Sequence, residues 1–101
     1  ITSGDIILMA YSFSVPAALA QQGWKVKIRD RERNEPPHVT ILFRTRAWRY
    51  GLRERLFLDR EPPPREVPVK VIAAIEAQLG QIKAVWDQMY PENPVDAQEG
   101  Q

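Results

Sequence analysis

The clearest pattern in the chain is the alternation over Trp24–Arg29. Trp24, Val26 and Ile28 are apolar, and Lys25, Lys27 and Arg29 between them are cationic. A period of two marks a β-strand with one face in a core and the other in water. The next stretch, HVTILFR, repeats the theme: Val39, Ile41 and Phe43 alternate with His38, Thr40, Leu42 and Arg44. "AWRYG" and "ERLFLDR" predict a third strand with room for a fourth, and a turn near Gly51. The two prolines of "RERNEPP" make that segment a connector, because proline cannot serve a central strand. Beyond the stiff corner "EPPPRE" the period changes. Ile72, Ile75, Leu79, Ile82, Trp86 and Met89 follow at steps of 3, 4, 3, 4 and 3. That stripe predicts one long amphipathic helix from Pro68 to Tyr90, stopped by Pro91 and Pro94. Near the start, "SVPAALAQQG" predicts a short helix capped by Ser14, with Pro16 in its first turn and Gly23 at its end. The preceding "DIILMAYSF" is apolar throughout and fits a strand or a tail equally.

These elements predict an α+β domain: a three- to four-stranded antiparallel sheet with the short N-terminal helix and the long C-terminal helix on one face. The other face of such a sheet stays open to solvent. A chain of 101 residues is one domain by size. Residues 1–13 read as an extension or tag, 14–90 as the folded core and 91–101 as a frayed tail.

Charge sharpens the picture. The net charge is only +1, but it is unevenly spread. Residues 24–60 hold eleven Lys and Arg against five acids, and the rest of the chain holds three against eight. A basic middle between acidic ends suits either an anionic partner or a solvated surface of mixed pairs. The absence of Cys excludes disulfides, thiolate zinc sites and Cys nucleophiles, and fits a cytoplasmic location. "AALA" resembles a signal-peptidase site, but the apolar run before it lacks a basic start, and Pro16 interrupts a stretch too short to span a bilayer. No membrane association is expected.

Candidate chemistry centres on His38, the only histidine. Strand parity places it on the open face with Lys25, Lys27, Arg29, Thr40 and Arg44, and Arg46 follows close by. A neutral imidazole there can take a proton from a sugar 2′-hydroxyl while Lys and Arg hold the phosphate. The plainer reading is a hydrogen-bonding strand residue after a proline corner. Trp24, Trp48 and Trp86 read as core, with Trp48 the one that also suits base stacking. Tyr50 suits an acid, a phosphate contact or packing. One His with no Asp or Glu at ligand spacing makes no metal-binding set, so neither metal nor cofactor is expected.

At "EPPHVTILF" the chain resembles a group of small bacterial proteins of unknown function with a Pro-Pro-His hairpin, often encoded beside a small partner as toxin–antitoxin pairs are. The resemblance spans roughly residues 23–90 in element order and is sharp at Pro36, Pro37 and His38; Thr40 stands where those relatives carry a second His. The order helix, three strands, helix and the run "QQGWKVK…H" are also similar to HicA-type toxins, with Pro-Pro replacing that family's Gly-Ser-His lead. These resemblances imply a toxin acting on RNA, a metal-independent endoribonuclease with His38 as general base or acid. Lys25, Lys27, Arg29, Arg44 and Arg46 would bind substrate, and an acidic antitoxin-like protein would cover the face. The competing expectation is a non-catalytic module that binds protein or RNA. Oligomeric state, a dimer included, is left open.

Overall fold

The computed structural model describes residues 10–96. Four strands form one antiparallel meander: β1 (Ala10–Phe13), β2 (Lys25–Arg29), β3 (His38–Phe43) and β4 (Arg46–Gly51), in that spatial order. Helix α1 (Ala17–Gln22) joins β1 to β2, and α2 (Val69–Ala77) and α3 (Leu79–Met89) complete the chain. The α+β architecture is the expected one.

Register explains which side chains meet. Phe13 pairs with Val26, Val26 with Ile41, Ile41 with Trp48, and Val39 with Tyr50. All of these point to one side of the sheet and are buried there with Val71, Ile75, Ile82 and Trp86 of the helices. Each fully buried aliphatic side chain in this layer contributes about 1.5–3 kcal/mol relative to exposure. The alternation over β2 is reproduced: Val26 and Ile28 are buried, and Lys25 and Arg29 are exposed. Gly23 ends α1 in the left-handed conformation at φ 110°, where a Cβ would be strained.

Four expectations are corrected. The fourth strand is β1, formed at Ala10–Phe13 within the segment read as an extension; residues 1–9 lie outside the description. "ERLFLDR" instead makes only an isolated bridge, Tyr50 to Phe57, beside β4. The long helix is divided at Gln78, which leaves helical geometry at φ −108° and ψ 13°. There the Gln78 amide donates to Ser14 O (2.8 Å) and Ala74 O (3.0 Å), tying the helices to the chain that follows β1. Ser14 is therefore engaged with Gln78 and does not cap α1, whose N-cap is Pro16. Finally, the segment after α3 is docked. Val95 is 1% exposed, its N–H donates to Asp87 (2.8 Å), and Trp86 Nε1 donates to Asn93 O (2.7 Å). A buried indole N–H needs an acceptor, and this return of the chain supplies it.

Candidate functional site

The sheet face opposite the helices carries two different arrangements. Along β2, Lys25, Lys27 and Arg29 project in a row. Lys25 and Arg29 are exposed and Lys27 half-buried, and among the described residues no acid forms an ion pair with any of the three side chains. In register with Lys27 lie Thr40 on β3 and Arg49 on β4. Arg49, which the sequence reading passed over, is the hub of this face. Its guanidinium grips Asp59 with two hydrogen bonds (2.9 and 2.7 Å) and donates a third to Glu35 (3.2 Å). The Arg49 hydrogen bond holds the Asp59 carboxyl below its ordinary value, against an opposing push from partial burial.

At the start of β3 the face closes over His38. The ring is 0% exposed and lies 5.6 Å from Trp86 of α3, centroid to centroid. The location expected for His38, open and solvated, is thereby overturned. By alternation His38 belongs with Thr40, but it pairs with Gly51 at the last rung of the sheet, where its ring reaches Trp86 of the helical layer. There the connector 30–37 folds back over the sheet and roofs the ring. Arg31 turns the chain at φ 65°, and Glu32 Oε1 accepts the Arg29 N–H (3.1 Å). The phenol of Tyr90 accepts the Glu32 N–H (3.0 Å) and donates to Arg29 O. Asn93 Nδ2 donates to Arg33 O (2.9 Å) and Glu35 O (2.8 Å).

The consequence is a buried cluster. His38 Nδ1 lies 2.9 Å from Pro36 O, and a carbonyl can only accept, so Nδ1 carries the proton. Nε2 faces Glu32 Oε2 at 3.3 Å and Glu35 Oε1 at 3.6 Å and has no hydrogen-bond partner among the described residues. Glu32, 7% exposed, is itself nearly buried. The expectation that no acid stands at ligand spacing from His38 is thus corrected. The connector brings Glu32, Glu35 and His38 together, with one ligand-type atom from each within 4.8 Å of the others. The signal for this was local: two carboxylates at steps of three ahead of a His, inside a proline-bounded connector.

The other expected substrate-binding residues are dispersed. Arg44 sits in the β3–β4 turn at φ 56°, with its guanidinium over the Phe43 ring at 5.0 Å. Arg46 is neutralised by an ion pair with Glu66. Trp48 is buried and donates to Pro63 O (3.2 Å), so it offers no stacking platform. Tyr50 donates to Glu76 (2.8 Å), and burial first, then that bond, pushes its phenol up to about 12. No described helix is long and apolar enough to cross a membrane. Comparison with family models, curated proteins and solved structures found no match.

Proposed function

We propose that the chain is a non-catalytic module that binds RNA by its phosphate backbone across the open face of the sheet. The observation that carries this reading is the row Lys25, Lys27, Arg29, without acidic partners among the described residues. Alternate strand residues repeat at about 6.8 Å. A constant row of like charges suits a ligand that is itself a periodic polyanion better than an irregular acidic protein surface. Trp24, Phe43, Trp48 and Tyr50 all pack on or toward the core, so this face lacks stacking groups and favours backbone contacts over base readout.

Cleavage finds no support in the geometry. His38, the expected general base, is sealed from solvent, and its Nδ1 proton is held by Pro36 O. A base must reach the proton it abstracts.

The test is binding of a labelled oligoribonucleotide by the full chain over a series of salt concentrations. Three phosphate contacts give a slope of about −2 in log K against log salt for a single strand. Replacing Lys25, Lys27 and Arg29 together by Ser should remove that slope while leaving the fold intact. Absence of RNA binding at low salt, with retention of an acidic protein instead, would assign the face to a protein partner. RNA cleavage abolished by His38→Gln would restore the enzyme reading.

A further inference from the structure

We propose that Glu32, Glu35 and His38 form a binding site for a divalent metal ion of the zinc class, with one coordination position open to solvent. This site adjoins the RNA-binding row at Arg29, whose backbone N–H holds Glu32, but it does not depend on RNA binding.

The starting point is the orphaned Nε2 of a fully buried imidazole. Because Nδ1 donates to Pro36 O, the lone pair left on the ring is at Nε2, where a proton or a metal ion can take it. That lone pair is aimed at two carboxylate oxygens. A lone pair set against two anions favours a positive group between them, a proton or a metal ion. Distance separates the two cases. A charge-assisted N–H···O bond spans about 2.7–2.9 Å. The observed separations, 3.3 Å to Glu32 and 3.6 Å to Glu35, are longer than that, and Nε2 makes no hydrogen bond among the described residues. Metal–ligand bonds of about 2.0–2.2 Å in a tetrahedron put neighbouring ligand atoms roughly 3.3–3.6 Å apart. The spacing is that of two edges of a coordination polyhedron.

The surroundings agree. Nδ1–H···O=C is the bond that commonly fixes the ring of a metal-ligating His. Glu35 Oε1 also accepts from Arg49 (3.2 Å), which leaves its second lone pair for the ion and orients the carboxylate. Glu32 is held by the Arg29 N–H on its other oxygen. Glu32, Glu35 and Asp59 against Arg49 leave two negative charges, which a divalent cation neutralises; Arg29, the other cation lining this cavity, is exposed to water. One imidazole with two carboxylates suits zinc and its transition-metal neighbours better than magnesium or calcium. The ion's remaining position faces a cavity of about 380 Å³ lined in part by Thr40, Arg49 and Asp59, so water completes the shell.

The chain has one His and no Cys, which makes the test clean. The full chain, free of any polyhistidine tag and stripped with chelator, is titrated with ZnCl₂ against a chromophoric competitor. One Zn²⁺ per chain is expected. In ¹⁵N-detected spectra the single imidazole should keep its proton on Nδ1 while the Nε2 resonance moves to its metal-bound position. Saturating zinc should raise Tm by about 10 °C or more. Glu35→Gln preserves shape at a half-exposed site and should fold normally yet bind zinc at least roughly 100-fold more weakly. Absence of stoichiometric uptake overturns the site. So does uptake that Glu35→Gln and Glu32→Gln leave unchanged, or a ring doubly protonated at neutral pH that refuses zinc.

Discussion

The two ends of the open sheet face share a layer and a strand parity, yet meet opposite fates. On β2, Lys25 and Lys27 project from the sheet, Lys25 exposed and Lys27 half-buried. At the start of β3, His38 has the same parity and is wholly buried, its ring against Trp86. The difference is not in the strands. It lies in the connector 30–37, pinned over His38 by Tyr90 and Asn93 from beyond the last helix. Alternation decides which side of a sheet a residue faces; distant chain decides whether that side meets water.

The sharpest way to break the contrast is to remove the wall behind the ring. Trp86 lies against His38 and Tyr90 and donates to Asn93 O, so Trp86→Ala opens a cavity at the centre of the closed end. A loss of about 3–5 kcal/mol is expected in denaturant unfolding. That is a large fraction of the stability of a domain this size. Next comes the latch. Asn93→Ala leaves the carbonyls of Arg33 and Glu35 without their donor and should cost about 1–3 kcal/mol. Amides of 31–35 should then exchange much faster while those of β2 do not, because the opening is local. Equal acceleration in both regions would mean that the two ends are not independent.

What could be read in advance follows the same division. Trp24–Arg29 and the stripe from Ile72 to Met89 repeat locally, so periodicity found both the sheet and the helical layer. The break at Gln78 is tied to Ser14, 64 residues away, and no local pattern encodes that tie. The roof over His38 depends on hydrogen bonds spanning 58 to 61 residues, Tyr90 to Glu32 and Arg29 and Asn93 to Arg33 and Glu35. Glu32 and Glu35 read only as part of a connector, because what brings them to His38 is conferred by those partners. Arg49 was passed over for a related reason: its importance comes from Asp59 and Glu35, which flank it only after folding.

Between the two ends sits the Arg49–Asp59 pair, which should show an intermediate effect and a defined pH dependence. Unfolded, Asp59 titrates near about 3.9. Folded, its value is lowered by Arg49. A lowered folded value means that the stabilisation is complete above the unfolded value and is lost as pH falls through the folded one. Arg49→Met should therefore lower stability at neutral pH by about 1 kcal/mol, the pair being partly exposed, and flatten the acid limb of the stability profile below about pH 4. Unfolding by urea at several pH values measures both. An unchanged acid limb would show that Asp59 finds no net stabilisation in Arg49.

The smallest expected effect belongs to the row on β2, and its sign is informative. Lys25 and Lys27 lie about 6.8 Å apart along the strand. Two unit charges at that distance in water repel by roughly 0.6 kcal/mol before screening, and physiological salt removes about half of that. With no acid among the described residues to offset it, Lys27→Ser should leave stability unchanged or raise it by a few tenths of a kcal/mol. The gain should vanish in high salt. The same substitution should weaken RNA binding at low salt and reduce its salt slope by about 0.7. A row kept for folding would lose stability on substitution; a row kept for a polyanion loses only its ligand. Destabilisation by Lys27→Ser of more than about 1 kcal/mol would place Lys27 in the structural network and withdraw it from the binding surface.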